Sequence, residues 1–457
     1  MKSSKIILLG LFGFTGLLAL SCNKFLTVSP KDQVSDDQTI VDGTSAQTAV
    51  RGIYNELESN DYYGYTFQTL GFFSGDNIQY VGSQTVNQQL TNHAVSSDLA
   101  ALNTAWAAIY NVINRANNVL AKVPPLAATT AFPDSLKNQL IGEAYFLRAL
   151  SYFDLARTWG GVQLILTPTT SATDQTTLKR SSLAATYAQV LQDLTQAETL
   201  LPNTTNRIRA TRKTAYALHA RFALYQNDWA DAELYASKII SDNNYALIAP
   251  YNAFFANNVT ATNESVFELY YNTNVTNEEA SQWEPTTNGG VGWVTPTSSI
   301  VTLLTDPTIG GNRSTLIQTL TISGVTKYYG NLYYRTAGTD PAFLIRLAEL
   351  YLIRAEAETQ LNDLTDAAND LNAVRARAGL PATTAATQAD LLLAIENENR
   401  VEFAFEDHRW YDLVRTGRAG AVLDITDSRK FLLPIPYAQI LVNGTYLTQN
   451  PGYDGVN

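Results

Sequence analysis

The chain of 457 residues has one cysteine and three histidines, and this scarcity limits its chemistry. A lone cysteine, Cys22, cannot form a disulfide within the chain. The histidines, His93, His219 and His408, lie far apart, and none has a second histidine three or four positions away. We therefore expect no zinc site and no other metal site.

Positive charge is also in short supply, with 31 Lys and Arg against 42 Asp and Glu and a formal net charge of -11. A surface this acidic repels phosphate backbones, which argues against nucleic acid as a partner. The paired glycines of "TWGGVQ" and "TNGGVG" lack the third glycine of a nucleotide-binding loop. They indicate turns, and we expect no cofactor. The hydrophobic content of 45% indicates a folded, globular chain.

The N-terminus has an apolar run from Ile6 to Leu20, which follows Lys2 and Lys5 and ends close to Cys22. The run is too short and too rich in glycine for a membrane span. A basic start, an apolar run and a cysteine predict a lipoprotein signal peptide over residues 1–21, with Cys22 as the site of lipid attachment. The alternative is an ordinary secretory signal with a chance cysteine.

Helical periodicity dominates the middle and the end of the chain. "LIRLAELYLIRAEAE", residues 344–358, has the apolar spacing of one helical face. "LNDLTDAANDLNAVRARAGLP", residues 361–381, predicts a helix that ends with Gly379 in a left-handed cap. "EAYFLRALSYFDLAR", residues 143–157, is apolar on nearly every side, so we expect a buried helix.

Two pairs of segments match one another within the chain. "QNDWADA" at residues 226–232 matches "LNDLTDA" at 361–367, and "EAYFLRA" at 143–149 matches "ELYLIRA" at 349–355. Helices joined by a short polar turn, with alanine at the close contact, are typical of tetratricopeptide-type units. We therefore predict one all-α domain, residues 22–457, built on tetratricopeptide-like helix pairs.

Two stretches lack this periodicity and are predicted to be irregular insertions, residues 60–91 and about 257–341. Both are rich in Asn, Thr, Gly and Tyr, and "LTISGVTKYYGNLYYR" within the second predicts short strands. Irregular segments on a rigid frame commonly carry binding sites, so we place the ligand site here.

The motifs, taken in order, resemble the SusD/RagB family of outer-membrane nutrient-binding lipoproteins. They are "CNKFLTVSP", "GEAYFLRALSYFDLARTWGGVQLI", "RKTAYALHARFALYQNDWADAELYASKII", "ENRVEFAFEDHRWYDLVRTG" and "LLPIPYAQILVNGTYLTQNPGY". The resemblance covers nearly the whole chain after Cys22. It implies a helical frame, a ligand site in the insertions, and docking onto a SusC-like TonB-dependent outer-membrane transporter. These motifs identify the class of protein and do not identify the ligand.

The most enzyme-like stretch is "RVEFAFEDHRWYDL", in which Glu402 and Glu406 are spaced by one helical turn. Two carboxylates that flank a glycosidic bond can hydrolyse it. On one helical face, however, both point the same way. We therefore expect a packed helix in which Arg400, Arg409 and the acids form structural ion pairs, and no catalytic residues.

The candidate ligand site rests on aromatic rings in polar surroundings. Sugar recognition needs a ring to lie against the C–H face of the sugar and short polar side chains to bind its hydroxyl groups. The loop "SQWEPTTNGGVGW" supplies such rings, and we expect its first tryptophan to face the solvent. Trp106, Trp159, Trp229 and Trp410 lie in helical patterns and are expected in the core. The candidate ligand-binding residues are Trp283, Trp293, Asp76, Asn77, Tyr80, Tyr63 and Tyr65.

These features together predict a lipid-anchored protein of the outer membrane, facing the outside of the cell. It would bind a glycan or oligosaccharide and pass it to the transporter without catalysis. A peptide ligand and a helical-repeat scaffold without a small ligand are the alternatives. A glycoside hydrolase ranks third.

Replacing Cys22 with alanine should release the protein from the membrane without unfolding it, because no other segment is expected to anchor it. Detergent partitioning of the variant and the wild type, in cells without the transporter, measures this. A variant that stays in the membrane fraction would contradict lipid attachment at Cys22.

Overall fold

The architecture is taken from a computed structural model that describes residues 39–84, 87–171, 174 and 176–453. The predicted signal peptide, residues 1–21, and the predicted lipidation site, Cys22, lie outside the described residues. Among the helices of the described ranges, none is both long enough and apolar enough to cross a membrane.

The described chain is mainly helical, as predicted. Several helices begin at side-chain caps, as where Asp42, Ser182 and Thr211 accept hydrogen bonds from backbone N–H groups of the first turn. The α-helices are α1 (Gly43–Leu57), α2 (Thr66–Ser74), α3 (Gln88–Thr91), α4 (Ala100–Lys122), α5 (Asp134–Trp159), α6 (Leu183–Leu200), α7 (Arg212–Gln226), α8 (Trp229–Ile240), α9 (Glu279–Trp283), α10 (Ser298–Thr305), α11 (Leu347–Gln360), α12 (Leu364–Arg377), α13 (Gln388–Glu402), α14 (Arg409–Arg415), α15 (Ala419–Leu423) and α16 (Tyr437–Asn443).

Short strands form three two-stranded antiparallel sheets in the described chain. The pairs are β1 with β3, β2 with β6, and β4 with β5. The strands are β1 (Ile78–Tyr80), β2 (Ser265–Leu269), β3 (Val294–Pro296), β4 (Ile317–Ile322), β5 (Val325–Gly330) and β6 (Ala342–Arg346).

The two predicted helix–turn–helix units are confirmed as α7–α8 and α11–α12. At each turn an asparagine adopts the left-handed conformation, Asn227 with φ 56° and Asn362 with φ 68°. Asparagine tolerates this region better than most residues, which explains the shared "ND" of the two segments. The left-handed cap predicted at Gly379 is also confirmed, with φ 77°.

The matching "EAYFLRA" and "ELYLIRA" segments encode the same ion pair in two places. Arg148 of α5 donates to Asp193 of α6 at 2.8 Å, and Arg354 of α11 donates to Asp370 of α12 at 2.6 Å. Both guanidinium groups bind the carboxylate through two nitrogens, which fixes the orientation of the second helix against the first.

The prediction that residues 143–157 form a buried helix is confirmed by α5, in which nearly every residue after Gln139 is buried. Two of its buried polar side chains form hydrogen bonds within the helix. Ser151 donates to the carbonyl of Leu147, and Asp154 accepts from Arg157. A helix that is buried all round forms the centre of the frame.

The predicted helix over residues 344–358 begins later than expected, because Leu344–Arg346 belong to strand β6. The strand is fully buried and pairs with β2, with Ser265 opposite Arg346. A short run of apolar residues has no periodicity that separates a buried strand from a buried helix, so the sequence alone assigned it wrongly.

The strands predicted in "LTISGVTKYYGNLYYR" are confirmed as the β4–β5 hairpin, with Ile322 opposite Val325 at the turn. The description of residues 60–91 as irregular is wrong in part, because α2 lies there and is almost entirely buried. Strands β1 and β3 join this insertion to the second one, with Tyr80 opposite Val294.

Replacing Arg148 with alanine should lower the free energy of unfolding by about 3–5 kcal/mol, because it leaves the carboxylate of Asp193 buried and unpaired. Urea unfolding measures this. The control is Arg115→Ala, which removes a half-exposed partner of Glu56 and should cost about 0.5 kcal/mol. Equal losses in the two variants would contradict a structural role for the repeated ion pair.

Candidate ligand-binding surface

Trp283 lies in the protein interior, and the expectation that its ring faces the solvent is wrong. The side chain is 0% exposed and packs against Phe72, Tyr333 and Phe405. Its indole N–H donates to Glu279 Oε2 at 2.9 Å. Trp283 and these three rings therefore belong to the main hydrophobic core of the described chain.

The surroundings of Trp283 explain why this loop needs an indole. Glu279 lies one turn earlier on α9, and Gln68 of α2 donates to its other carboxylate oxygen at 2.9 Å. Burial raises the pKa of Glu279 well above its ordinary value. A Cβ at Gly330 would clash with the indole ring, so β5 passes directly over Trp283. The tryptophan joins α2, α9 and β5.

The side chains of three other candidates are also buried and contact other residues of the protein. Tyr63 is buried, and its hydroxyl donates to Asp154 at 2.6 Å. Asn77 is buried and donates to the carbonyl of Arg400 at 3.1 Å. Tyr80 is buried beneath neighbouring rings. These side chains support the insertions and do not face the solvent.

Asp76 and Tyr65 lie nearer the surface. Asp76 is held by two arginines, with Arg400 at 2.8 Å and Arg409 at 2.7 Å. Tyr65 is half-buried, and its hydroxyl lies 3.5 Å from Gln282 Oε1. The paired carboxylate of Asp76 links the β1 region to α13 and α14.

Trp293 is the candidate tryptophan that remains partly exposed. The indole meets Tyr80 edge to face, with ring centroids 6.1 Å apart. Its backbone is fixed on both sides, because its N–H donates to the carbonyl of Gln282 at 2.9 Å and its carbonyl accepts from Val81 at 2.8 Å. A Cβ at Gly82 would lie 2.8 Å from the indole Cγ, so glycine allows the chain to pass close to the ring.

Sequence reasoning missed the apolar residues beside this ring. Val81 is 51% exposed and donates its backbone N–H to the Trp293 carbonyl, and Val291, two residues before Trp293, is 40% exposed. Gly292 rests on the ring of Tyr329 in β5. We call the solvent-facing surface of Val81, Val291 and Trp293 the Trp293 surface. The sequence contained no signal for Val81, which meets Trp293 only through the β1–β3 pairing.

The carboxylates of the enzyme-like stretch form structural ion pairs, as expected, but with different partners. Glu402 is fully buried and binds Arg313 at 2.7 Å and Arg346 at 2.9 Å, and it also binds Arg377. Glu406 lies beyond the end of α13, so the two acids do not share a helical face, and it binds Arg346 at 2.6 Å.

The charges around Glu402 keep its carboxyl group ionised and paired with arginines. Burial raises the pKa of this carboxyl, but the guanidinium groups of Arg377, Arg313 and Arg346 outweigh burial and bring the pKa to about 2. His408 is partly buried and stacks on Phe403, and desolvation and nearby arginines hold its pKa well below the ordinary value. Because the Glu402 carboxylate stays ionised and paired with arginines, it cannot exchange protons with a substrate near neutral pH.

Three of the four tryptophans expected in the core are buried, namely Trp106, Trp159 and Trp410. Trp229 is different, because it is partly exposed at the start of α8 and lines an open groove. Periodicity placed it on a helix correctly but gave no information about what covers it.

Family models match two long segments of the chain. One, described as "Starch-binding associating with outer membrane", matches residues 24–224, and another, described as "SusD family", matches residues 270–424. The chain belongs to the SusD family. The resemblance drawn from the sequence motifs is therefore confirmed.

Relatives match this SusD-family chain over nearly all of its length. "SusD-like protein P38" of Formosa agariphila is 24% identical over 95% of this chain and 96% of that protein. A "SusD-like protein" of Bacteroides ovatus is 23% identical over 91% of this chain and 82% of its own length.

Solved structures show the same fold. A SusD superfamily protein of Bacteroides vulgatus has a TM-score of 0.80 at 22% identity and covers 90% of this chain and 99% of its own. A structure described as "Laminarin binding SusD-like protein" has a TM-score of 0.79 at 24% identity and covers 90% and 100% of the two chains. The all-α, tetratricopeptide-like fold predicted from the sequence is thus confirmed.

Trp283→Ala should lower the free energy of unfolding by about 3–5 kcal/mol, because it leaves a cavity in the main hydrophobic core. Denaturant unfolding measures this. Trp293→Ala is the matched control and should cost less than about half as much, since that ring is already partly exposed. A Trp283→Ala variant as stable as the wild type would show that the indole is not a core group.

Glu402→Gln should lower the free energy of unfolding at pH 7 by about 3–5 kcal/mol, because it removes the buried carboxylate that pairs with Arg313, Arg346 and Arg377. This stabilisation is present above pH 4.5 and is lost as the pH falls towards 2. The difference between variant and wild type should therefore shrink below pH 4.

Urea unfolding of both proteins at pH 7 and pH 3 measures this difference. Glu56→Gln, in a half-exposed ion pair, should cost about 0.5 kcal/mol and serves as the control. Hydrolysis of a glycan that disappears in a folded Glu402→Gln protein would contradict the structural assignment.

Proposed function

We propose that this SusD-family protein binds a glycan at the Trp293 surface and does not cleave it. The observation that carries the proposal is the indole of Trp293, held partly exposed by backbone hydrogen bonds on both sides. A ring fixed in this way loses little conformational entropy when a ligand covers it.

The chemistry of the surface supports a saccharide. An indole presents a flat apolar face to the C–H groups of a pyranose ring, and Val81 and Val291 extend that face. Ser83 and Gln84, both exposed, follow directly after Gly82 and supply polar groups for hydroxyls. The description of one structural neighbour as laminarin-binding agrees with this ligand class.

Binding without hydrolysis is supported by the state of the acidic residues. Hydrolysis requires two accessible carboxyl groups on either side of the glycosidic bond. Glu402 and Glu406 are buried and paired with arginines, so neither reaches a ligand on the surface.

The proposal includes an anchored location and a transporter partner. The sequence predicts a lipid on Cys22, and one matching family model is described as associating with the outer membrane. We propose that the protein faces the outside of the cell and passes its glycan to a SusC-like TonB-dependent transporter.

Trp293→Ala should weaken glycan binding about tenfold, since loss of one stacked ring corresponds to about 1.4 kcal/mol of binding free energy. A glycan array identifies a ligand for the full chain purified in detergent, and calorimetric titration then compares the variants. Trp293→Phe keeps a ring and should lose less affinity than the alanine variant.

Leu234→Ala is the control, because Leu234 is exposed on α8, remote in sequence from both insertions. Unchanged affinity in a folded Trp293→Ala protein would contradict the Trp293 surface as the binding site. Absence of any glycan ligand on the array would contradict the proposed function itself.

A further inference from the structure

A groove of about 520 Å³ opens on the helical frame, and none of its lining residues belongs to the Trp293 surface. It lies between the first turn of α8, the end of α11, and helices α13 and α14. We call it the repeat groove. The lining residues that matter here are Trp229, Gln360, Leu392, Leu393, Asn399 and Arg418.

Part of the lining of the repeat groove is apolar and aromatic. Trp229 is partly exposed at the start of α8, and within the described chain its indole N–H has no hydrogen-bond partner. Leu393 of α13 is 49% exposed, and Leu392 beside it is partly exposed. The indole of Trp229 and these two leucines thus give the groove exposed apolar surface on two of its helices, α8 and α13.

Unpartnered amide groups supply the polar side of the groove. The side chains of Asn227, Gln360 and Asn399 make no hydrogen bond to any other residue that the structure describes. Each amide offers two N–H donors and a carbonyl acceptor. Because these groups are neutral and unpaired, they suit a ligand with neutral donors and acceptors, such as hydroxyl groups.

The charged residues of the groove are already paired with one another. Arg415 binds Glu356 at 2.7 Å, and Arg418 binds Glu396 at 2.9 Å. Arg400 and Arg409, which also line the groove, are held by Asp76. A charged ligand would have to break one of these pairs, whereas a neutral one leaves them intact.

We propose that the repeat groove is a second saccharide-binding site, in which a neutral sugar unit stacks on Trp229 and bonds to the three amides. The choice of a saccharide rests on the proposed function, which already assigns this ligand class to the protein. The site shares no lining residue with the Trp293 surface, so two parts of one glycan chain, or two glycans, can bind at once.

The test uses the full chain labelled with 5-fluorotryptophan and purified in detergent, so that each of the 6 tryptophans gives its own fluorine resonance. Single Trp→Phe variants assign the resonances. The probes are laminarin, soluble starch and the strongest neutral ligand from the glycan array. We expect the Trp229 and Trp293 resonances to shift with separate midpoints, while those of Trp159 and Trp283 stay unchanged.

Gln360→Ala should weaken the titration of the Trp229 resonance about fivefold, the usual effect of one lost hydrogen bond, and leave that of Trp293 unchanged. The Gln360 side chain has no hydrogen-bond partner among the residues that the structure describes, so this variant should fold normally. Leu234→Ala, on the same helix as Trp229, should change neither titration.

The outcomes separate this site from the proposed function. If saccharide shifts only the Trp293 resonance, the repeat groove is not a saccharide site and the proposed function stands. If Gln360→Ala does not weaken the titration of the Trp229 resonance, the proposed saccharide site in the repeat groove is also wrong. If no probe shifts either resonance and the array finds no ligand, both proposals fall.

Discussion

The structure depends on a buried cluster of charges centred on Arg346. Its guanidinium group binds Glu264 at 2.7 Å, Glu402 at 2.9 Å and Glu406 at 2.6 Å, with no exposure to solvent. Charges removed from water are costly unless every one is paired, so the cluster is stable only when all its members meet. Those members come from β6, the segment before β2, the end of α13, and the segment between α13 and α14.

This requirement fixes the second insertion on the helical frame. Arg377, at the end of α12, binds both Glu264 and Glu402, and Arg313 from the insertion binds Glu402 as well. Helix pairs and insertion therefore share the same carboxylates. The second insertion, which carries Trp293, is therefore attached to a rigid base. A preformed ligand surface requires such a base.

The local features of the fold were predictable, and the long-range ones were not. Helices, the asparagine turns and the cap at Gly379 depend on residues a few positions apart, so periodicity and turn chemistry identify them. Trp283 and Trp293 stand in the same polar loop and look alike in sequence. Only the packing of distant segments onto Trp283 separates them. The exposure of Trp229 could not be predicted for the same reason, since its neighbours in the repeat groove come from distant helices.

The structure of the protein with its bound glycan tests the central claim most directly. We expect a sugar ring in van der Waals contact with the indole of Trp293, with Trp283 still buried and bonded to Glu279. A sugar bound nowhere near Trp293, or a Trp283 that swings out to meet the ligand, would contradict the account of a rigid frame presenting one fixed ring.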